Sequence, residues 1–289
     1  MDTKIKIIFF GTPDIAVECL TSLNEDDRFE VMAVVTQEDK PVGRKKIMTP
    51  PPVKVYAEEK NIPVYQPARL NDSEDLYERL SALGVDYNVV VAYGQIMSQK
   101  WLDVPSKRSV NLHVSLLPKY RGASPMQEAL KHGDKMTGVT VQDMVFKMDQ
   151  GDILAQEEFD IGDDDTLYEV YTRASNIGAA LLPKVLHEDF LGNVTPIPQS
   201  IEGVSYCTKI TKQDGFVDLE EDSAEEIYNK YRAYKMWPGV WTMAHGKRLK
   251  LTELAMESSQ GLEPGRLQIL RVQPEGKKEM GYEDYLRGV

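Results

Sequence analysis

The chain has 289 residues, of which 42% are hydrophobic and 28% are charged, and this composition excludes a collagen-like or largely disordered chain. The net charge of −12 argues against a nucleic-acid partner, but residues 1–207 carry −11 of it and residues 208–289 carry only −1. The apolar runs are far shorter than the roughly 20 residues that span a bilayer. Two cysteines and four histidines favour neither a disulfide framework nor a Cys/His metal site. We therefore expect a cytoplasmic protein without a metal or a membrane anchor.

Strand and helix patterns alternate through the first two-thirds of the chain. Helical patterns occupy 53–60 and 76–83, among others. Because strands that alternate with helices form βαβ units, we predict an α/β fold, with a Rossmann-like, mostly parallel sheet and helices on both faces. Ligands of such sheets bind at the carboxyl ends of the strands. The stretches predicted as strands are residues 4–10, 31–36, 62–65, 85–92, 110–117, 138–144 and 153–159.

The last third has a different organisation. A long helical pattern ends near Phe190, and the prolines and glycine of residues 191–198 are typical of a linker. One helical segment and several short, turn-separated strands follow, which favours a small barrel. We therefore predict an α/β domain over residues 1–190, a linker over 191–207, and a small C-terminal β-barrel domain, OB-like, over 208–289.

Common nucleotide and hydrolase motifs are missing. The first predicted strand ends in Gly11-Thr12-Pro13, which lacks the glycine fingerprint of a dinucleotide site, and Pro13 removes a backbone donor. The sequence also has no P-loop and no Gly-x-Ser-x-Gly nucleophile elbow. These observations argue against a Rossmann dehydrogenase, a P-loop enzyme and a hydrolase of the nucleophile-elbow type.

One basic stretch stands out in this acidic chain. Residues 40–57 contain five basic side chains and no acidic one. Their prolines and Gly43 predict a long surface loop. Two interpretations stay open from composition, a solvated loop and a contact surface for phosphates.

Residues 110–125 hold the densest group of chemically active side chains. Asn111, His113 and Ser115 would share one face of a strand, because side chains alternate along it. Three polar groups at the carboxyl end of a buried strand cost free energy unless they are hydrogen-bonded, so the pattern predicts a site. A second polar cluster, residues 148–152, follows a later strand and by itself has an ordinary turn composition.

Together these residues resemble the signature of formyltransferases that use a formylated tetrahydrofolate. The signature consists of Asn111-Leu112-His113, Ser115-Leu116-Leu117-Pro118 with Arg121-Gly122 and Pro125, and Met148-Asp149-Gln150-Gly151-Asp152. Further motifs resemble methionyl-tRNA formyltransferases in order and spacing, so the resemblance covers nearly the whole chain. They include Phe10-Gly11-Thr12-Pro13, Gly43-Arg44-Lys45-Lys46, Val90-Val91-Ala92-Tyr93-Gly94, Lys209-Ile210-Thr211-Lys212 and Trp237-Pro238-Gly239.

The resemblance implies a reaction and a division of labour. The formyl group of 10-formyltetrahydrofolate, the formyl-donor co-substrate, would pass to the methionine amino group of initiator methionyl-tRNA for translation initiation, with no metal and no obligatory protein partner. Residues 1–190 would be the formyltransferase catalytic domain, and the barrel would bind tRNA. Asn111 would donate to the formyl oxygen, His113 would add a second donor, and Asp149 would orient His113 and relay the amine proton.

The resemblance also implies the binding residues. The folate pocket would be lined by Ser115, Leu116, Leu117, Pro118, Tyr93, Gly94, Gln95 and Ile96. The tRNA would be contacted by Arg44, Lys45, Lys46, Lys247 and Arg248.

Two alternatives stay open. A related enzyme with the same chemistry could formylate a sugar-nucleotide amine or glycinamide ribonucleotide, or hydrolyse formyl-folate, although the basic stretch and the C-terminal motifs argue against it. The second alternative is a non-enzymatic binding module on the same scaffold. The complete set of Asn111, His113 and Asp149 argues against this second alternative.

Overall fold

The computed structural model describes residues 4–43, 45–257 and 266–288. Within these ranges the chain forms eight α-helices and fifteen strands. The helices are α1 (Asp14–Asn24), α2 (Pro52–Glu59), α3 (Glu74–Ser81), α4 (Gln99–Leu102), α5 (Pro125–Lys131), α6 (Leu167–Phe190), α7 (Ala224–Tyr234) and α8 (Tyr282–Arg287). The strands are β1 (Ile5–Gly11), β2 (Phe29–Val35), β3 (Lys40–Val42), β4 (Ile47–Thr49), β5 (Val64–Tyr65), β6 (Tyr87–Val91), β7 (Arg108–His113), β8 (Arg121–Gly122), β9 (Met136–Asp143), β10 (Ile153–Asp160), β11 (Tyr206–Cys207), β12 (Val240–Ala244), β13 (Lys247–Glu257), β14 (Arg266–Pro274) and β15 (Met280–Gly281).

A seven-stranded sheet forms the centre of the α/β part. Its order is β10-β9-β7-β6-β1-β2-β5. The five neighbouring strands β7, β6, β1, β2 and β5 run parallel to one another. The strand β9 runs antiparallel to β7. Four successive residues of β1, Ile7 to Phe10, are completely buried, as expected for a strand that is covered on both faces. The predicted α/β class and the mostly parallel sheet are confirmed.

The turn after β1 is shaped by packing. A Cβ atom added at Gly11 would lie 2.6 Å from Phe9 Cε1 and 2.7 Å from the Cβ of Ala16 in α1. A side chain therefore does not fit where this helix approaches the strand. The glycine is explained by this contact, without a pyrophosphate ligand.

The C-terminal part contains a four-stranded antiparallel sheet with the order β12-β13-β14-β15. The helix α7 precedes it and begins with a capping box, in which Ser223 and Glu226 bind each other's backbone N–H groups. This sheet confirms the small barrel-like domain that the sequence predicts.

The compact units of the structure are not consecutive stretches of chain. One unit comprises the described residues of 1–121, 138–159 and 172–206, and the other comprises those of 122–137, 160–171 and 207–289. The last segment of the second unit begins at residue 207, near the predicted boundary at 208, but the unit also takes in two segments from the predicted α/β domain. The reason is packing within that unit, because α5 lies against α7 and Arg232 of α7 donates hydrogen bonds to the carbonyls of Gly162 and Asp165.

Two local predictions differ from the structure. The strand predicted over 110–117 ends at His113, because Ser115 and the residues after it form a turn. The stretch predicted as a basic loop contains a β-hairpin, β3 and β4. Among the described residues, no helix has the length and apolarity needed to cross a membrane, and no group of three or more His, Cys, Asp and Glu side chains is placed to hold a metal ion.

Candidate active site

The predicted catalytic residues lie on or beside β7. In the sheet, Asn111 is paired with Val90 of the parallel strand β6 and with Gln142 of the antiparallel strand β9. His113 is the last residue of β7. Because the loops after β6 and β7 leave the same edge of the sheet, the 93–96 and 115–118 stretches start next to these side chains.

His113 is held between two oxygen acceptors. It is 6% exposed, and its Nε2 donates a hydrogen bond of 3.0 Å to the backbone carbonyl of Tyr120. Its Nδ1 faces Asp149 Oδ1 at 3.7 Å, which is longer than a direct hydrogen bond. The imidazole and the carboxylate therefore lie close together without a direct hydrogen bond between these two atoms.

Asn111 has a different environment. Its side chain is half-buried, and no hydrogen bond from its amide to another part of the described structure is found. The amide is therefore available to a ligand, in contrast to the amides of Gln142 and Gln199, which are used within the protein.

Asp149 is fixed by its own segment and by β9. Gln142 Nε2 donates to Asp149 Oδ1 at 2.9 Å, and the Asp149 backbone has a φ of +54°, which is uncommon outside glycine. At Gly151 an added Cβ would lie 1.7 Å from the Asp143 carbonyl oxygen. The glycine of the 148–152 cluster thus lets this segment lie directly against the end of β9.

The 115–118 stretch is a fixed turn. Ser115 is completely buried, and its Oγ donates to the Lys119 carbonyl at 2.6 Å. Thr140 Oγ1 donates to the Ser115 carbonyl at 2.6 Å, and Gln156 Nε2 donates to the Leu117 carbonyl at 2.9 Å. The expectation that Ser115 shares a strand face with Asn111 and His113 is wrong, since its hydroxyl closes the turn. The folate-lining role of Ser115, Leu116, Leu117 and Pro118 stays a prediction.

The 93–96 stretch is held in place by the side chains of Tyr93 and Gln95. Tyr93 is buried edge-on against Phe10 with ring centroids 5.6 Å apart, and burial raises the pKa of its phenol. The Gln95 side chain binds Leu70 N at 2.8 Å and the Pro67 carbonyl at 3.0 Å. Gln95 therefore shapes this loop through its side chain, and a folate contact from it would come from the backbone. Ile96 is 67% exposed, which leaves it open to a ligand, and the roles of all four residues, Gly94 included, stay predictions.

Three of the basic residues predicted to contact tRNA belong to the first predicted domain, and the structure describes two of them. Lys45 and Lys46 lie exposed in the turn between β3 and β4, while Arg44 lies outside the described residues. The hairpin also exposes Val42, Ile47 and Met48 at 56–62%, apolar side chains that the charge pattern did not point to. Basic and apolar side chains are thus exposed together on this hairpin.

The two basic residues predicted in the second unit differ from each other. Lys247 is exposed at the start of β13. The Arg248 guanidinium lies over the ring of Trp241 at 4.2 Å, so that its stem and charge also stabilise the sheet. Lys247 is therefore the cation whose replacement disturbs the fold less.

Sequence reasoning missed several residues around His113 and Asp149. Gln142 had a signal, a long polar side chain within the apolar run of β9. Tyr120, Gln199 and Ser205 had none, because they lie in segments of turn or linker composition.

Comparison with known proteins shows the family of the chain. Residues 3–186 match the formyl transferase family and residues 209–267 match the formyl transferase C-terminal domain. A methionyl-tRNA formyltransferase of Nitratiruptor sp. is 44% identical, covering 98% of this chain and 97% of that protein. The enzyme of the same name from Sulfurimonas denitrificans is 41% identical over 98% of this chain and 97% of its own length.

Solved structures show the same fold at lower identity. The N-formyltransferase of Helicobacter canadensis, solved with folinic acid and dTDP-3-aminofucose, has a TM-score of 0.68 at 20% identity, covering 96% of this chain and 98% of that one. HypX of Aquifex aeolicus with tetrahydrofolic acid has a TM-score of 0.66 at 16% identity, covering 98% of this chain and 47% of that one. Because both domains match and the identity of 41–44% extends over 98% of the chain, the chain belongs to the methionyl-tRNA formyltransferase family.

Proposed function

We propose that the protein transfers the formyl group of 10-formyltetrahydrofolate to the amino group of methionine on initiator methionyl-tRNA. The observation that carries this is the arrangement at the end of β7. An Asn111 amide with no partner among the described residues lies on the same strand as His113, and His113 faces Asp149 at 3.7 Å. The set combines a hydrogen-bond donor for a carbonyl oxygen with a pair of groups that can carry a proton.

The side chains fit a formyl donor. When bound, 10-formyltetrahydrofolate supplies a formamide carbonyl that an amine can attack. The Asn111 amide is the donor type that such an oxygen accepts, and the fixed 115–118 turn and the 93–96 loop supply backbone groups that suit a flat pterin ring.

Asn111 would stabilise the negative charge that develops on the formyl oxygen. One such donor, already oriented by the strand, contributes about 3 kcal/mol to lowering the barrier. The expected direct donation from His113 is less simple, because its Nε2–H is engaged with the Tyr120 carbonyl. We infer that His113 acts mainly by positioning, since its Nε2 binds the Tyr120 carbonyl and its Nδ1 faces the Asp149 carboxylate.

Asp149 and His113 would handle the proton of the attacking amine. The amine must lose a proton as its new C–N bond forms, and N10 of tetrahydrofolate must gain one as its bond to the formyl carbon breaks. A base within reach directly or through one water can accept the first proton and pass it on. The 3.7 Å between Nδ1 and Oδ1 keeps the imidazole and the carboxylate close enough to act on the same amine. Asp149 would accept the proton directly or through one water, and the His113 ring would hold the carboxylate in place.

The acceptor end would be held by basic groups outside this site. The exposed Lys45 and Lys46, with Arg44 next to them in the sequence, suit the phosphates of a tRNA stem, and the exposed Lys247 also suits tRNA phosphates. A tRNA substrate places the reaction in the compartment of translation, which fits the cytoplasmic location that the sequence predicts.

A formylation assay with several acceptors tests the proposal. Purified protein and 10-formyltetrahydrofolate are combined with charged initiator tRNA, charged elongator tRNA, and a dTDP-aminosugar as the small-amine alternative. We expect rapid formylation of initiator methionyl-tRNA and little of the other two. Preferred formylation of the aminosugar, or release of formate with no acceptor formylated, would overturn the proposal in favour of a related enzyme.

A further inference from the structure

The segment of residues 197–206, here called the strap, is more than a linker. Ile197 forms an isolated antiparallel bridge with Ile153, with hydrogen bonds of 2.8 and 2.9 Å. Within the strap, Ile197, Ile201 and Tyr206 are exposed, whereas Gln199 and Ser205 are half-buried. Two polar side chains of the strap, Gln199 and Ser205, are thus more buried than its largest apolar side chains, which is the reverse of ordinary burial.

Gln199 holds the segment that carries Asp149. Its Nε2 donates to the Asp149 carbonyl at 2.9 Å and to the Gly151 carbonyl at 2.7 Å. Its Oε1 accepts from Arg121 Nε at 3.0 Å and from Nη2 at 2.7 Å. Arg121 is only 8% exposed, so a buried guanidinium orients the Gln199 amide and leaves its N–H groups pointing at the Asp149 segment.

Ser205 holds the residue on the other side of His113. Its Oγ accepts from Tyr120 N at 2.8 Å, and the Tyr120 carbonyl accepts from His113 Nε2 at 3.0 Å. The strap therefore reaches both acceptors of the His113 ring, one through Ser205 and one through Gln199.

The two residues that the strap holds share an uncommon backbone conformation. Asp149 has a φ of +54° and Tyr120 has a φ of +58°. Left-handed conformations cost free energy in residues with a side chain and persist where the surroundings enforce them. Each of these two backbones is bonded to a strap side chain, which is the kind of enforcement that such conformations need.

We propose that Gln199 and Ser205 are positioning residues, which set the distance and direction between His113 and its two acceptors, Asp149 and Tyr120. Among the described residues, neither side chain has a hydrogen bond to the His113 ring. Their effect on turnover runs through the backbones of Asp149 and Tyr120. This inference rests on the proposed function, because it assigns a role within the same reaction.

The test uses the full chain with single substitutions. Gln199→Ala removes both the oxygen that accepts from Arg121 and the N–H groups that donate to the Asp149 and Gly151 carbonyls. Gln199→Glu keeps an acceptor for Arg121 but removes these donors. Ser205→Ala removes only the oxygen that binds Tyr120 N. Ser200→Ala is the matched control, because the Ser200 hydroxyl accepts only from Glu202 N within the strap.

We expect kcat to fall about 10- to 100-fold in both Gln199 variants, because small misplacements of catalytic groups have costs of this size, and to fall less in Ser205→Ala. The KM values for formyl-folate and tRNA should change by less than about threefold, and Ser200→Ala should match the unmodified protein. A purely structural role would instead lower the melting temperature and the folate affinity together, with kcat per folded molecule unchanged.

Each outcome decides something. If the unmodified protein fails to formylate methionyl-tRNA, the proposed function fails and this inference fails with it. If the unmodified protein is active and Gln199→Glu keeps its kcat within about twofold, this inference alone is overturned. If Gln199→Ala does not fold, Ser205→Ala and Gln199→Glu decide the test, and a loss of stability without a loss of kcat overturns the inference.

Discussion

Replacing Asn111 with Ala separates catalysis from folding, because the Asn111 amide has no hydrogen-bond partner among the described residues. The substitution leaves no buried acceptor unsatisfied, so we expect the free energy of unfolding to change by less than about 1 kcal/mol. Loss of one oriented donor to a developing oxyanion costs about 2.7–4 kcal/mol, or roughly 100- to 1000-fold in kcat. The expected result is a stable protein with very little turnover.

Asn88 is the matched control on the neighbouring strand. It is completely buried, and its Nδ2 donates to the Trp101 carbonyl at 2.8 Å and to Ser109 Oγ at 3.1 Å. Asn88→Ala leaves these two acceptors without this donor, at a cost of about 1–3 kcal/mol for each group left unsatisfied. This variant should lose stability and keep its turnover per folded molecule, which is the opposite of Asn111→Ala.

The two variants are compared by initial rates of formyl-methionyl-tRNA formation and by thermal unfolding. Folate affinity, measured by calorimetry, shows that each protein retains its binding site. If Asn111→Ala keeps kcat within about threefold of the unmodified protein, its amide does not stabilise the formyl oxygen. A large loss of stability in Asn111→Ala would show instead that the amide has a structural partner.

Two further predictions concern the proton-carrying pair and the basic hairpin. His113→Ala and Asp149→Ala should each lose most turnover, and the double variant should be little slower than either one because the pair acts as a unit; near-normal turnover in both single variants would refute this role. Replacing residues 44–46 with Ala should weaken tRNA binding and reduce the slope of log K against log salt by up to about 0.9 for each phosphate of a duplex stem that the hairpin no longer neutralises, with folate affinity unchanged. An unchanged slope would return the hairpin to the interpretation of a solvated surface.

Much of the fold follows from the order of apolar segments. The strands β1 and β6 are buried along nearly their whole length, and such runs are recognisable without a partner because both faces of a parallel sheet are covered. The end of β7 was less accessible to sequence reasoning. The alternation of polar residues continues to Ser115, but the strand ends at His113 because the Tyr120 carbonyl and the Thr140 hydroxyl fix the following residues as a turn.

The candidate site was predictable to the extent that its chemistry lies on strands. Asn111 and His113 stand out as polar residues in an apolar strand, and the resemblance then pairs them with Asp149. Gln199 and Ser205 could not be found in this way. They contact Asp149 and Tyr120 across 50 and 85 residues of chain, and nothing in the composition of the strap distinguishes inward from outward side chains.

The strap also changes how the division of labour can be tested. The sequence suggests a fragment ending near Gly192 as a catalytic domain without its tRNA-binding part, but that fragment would also lack Gln199, Ser205 and the helix α7 that packs on α5. A loss of formylation would then have two causes. Substitutions in the full chain separate them, because Lys247→Glu should lower tRNA affinity and its salt dependence by roughly one phosphate interaction with kcat at saturating tRNA unchanged, while Gln199→Ala should lower kcat with tRNA affinity unchanged. If Lys247→Glu instead lowers kcat at saturating tRNA and leaves tRNA affinity unchanged, then Lys247 does not act by holding the tRNA.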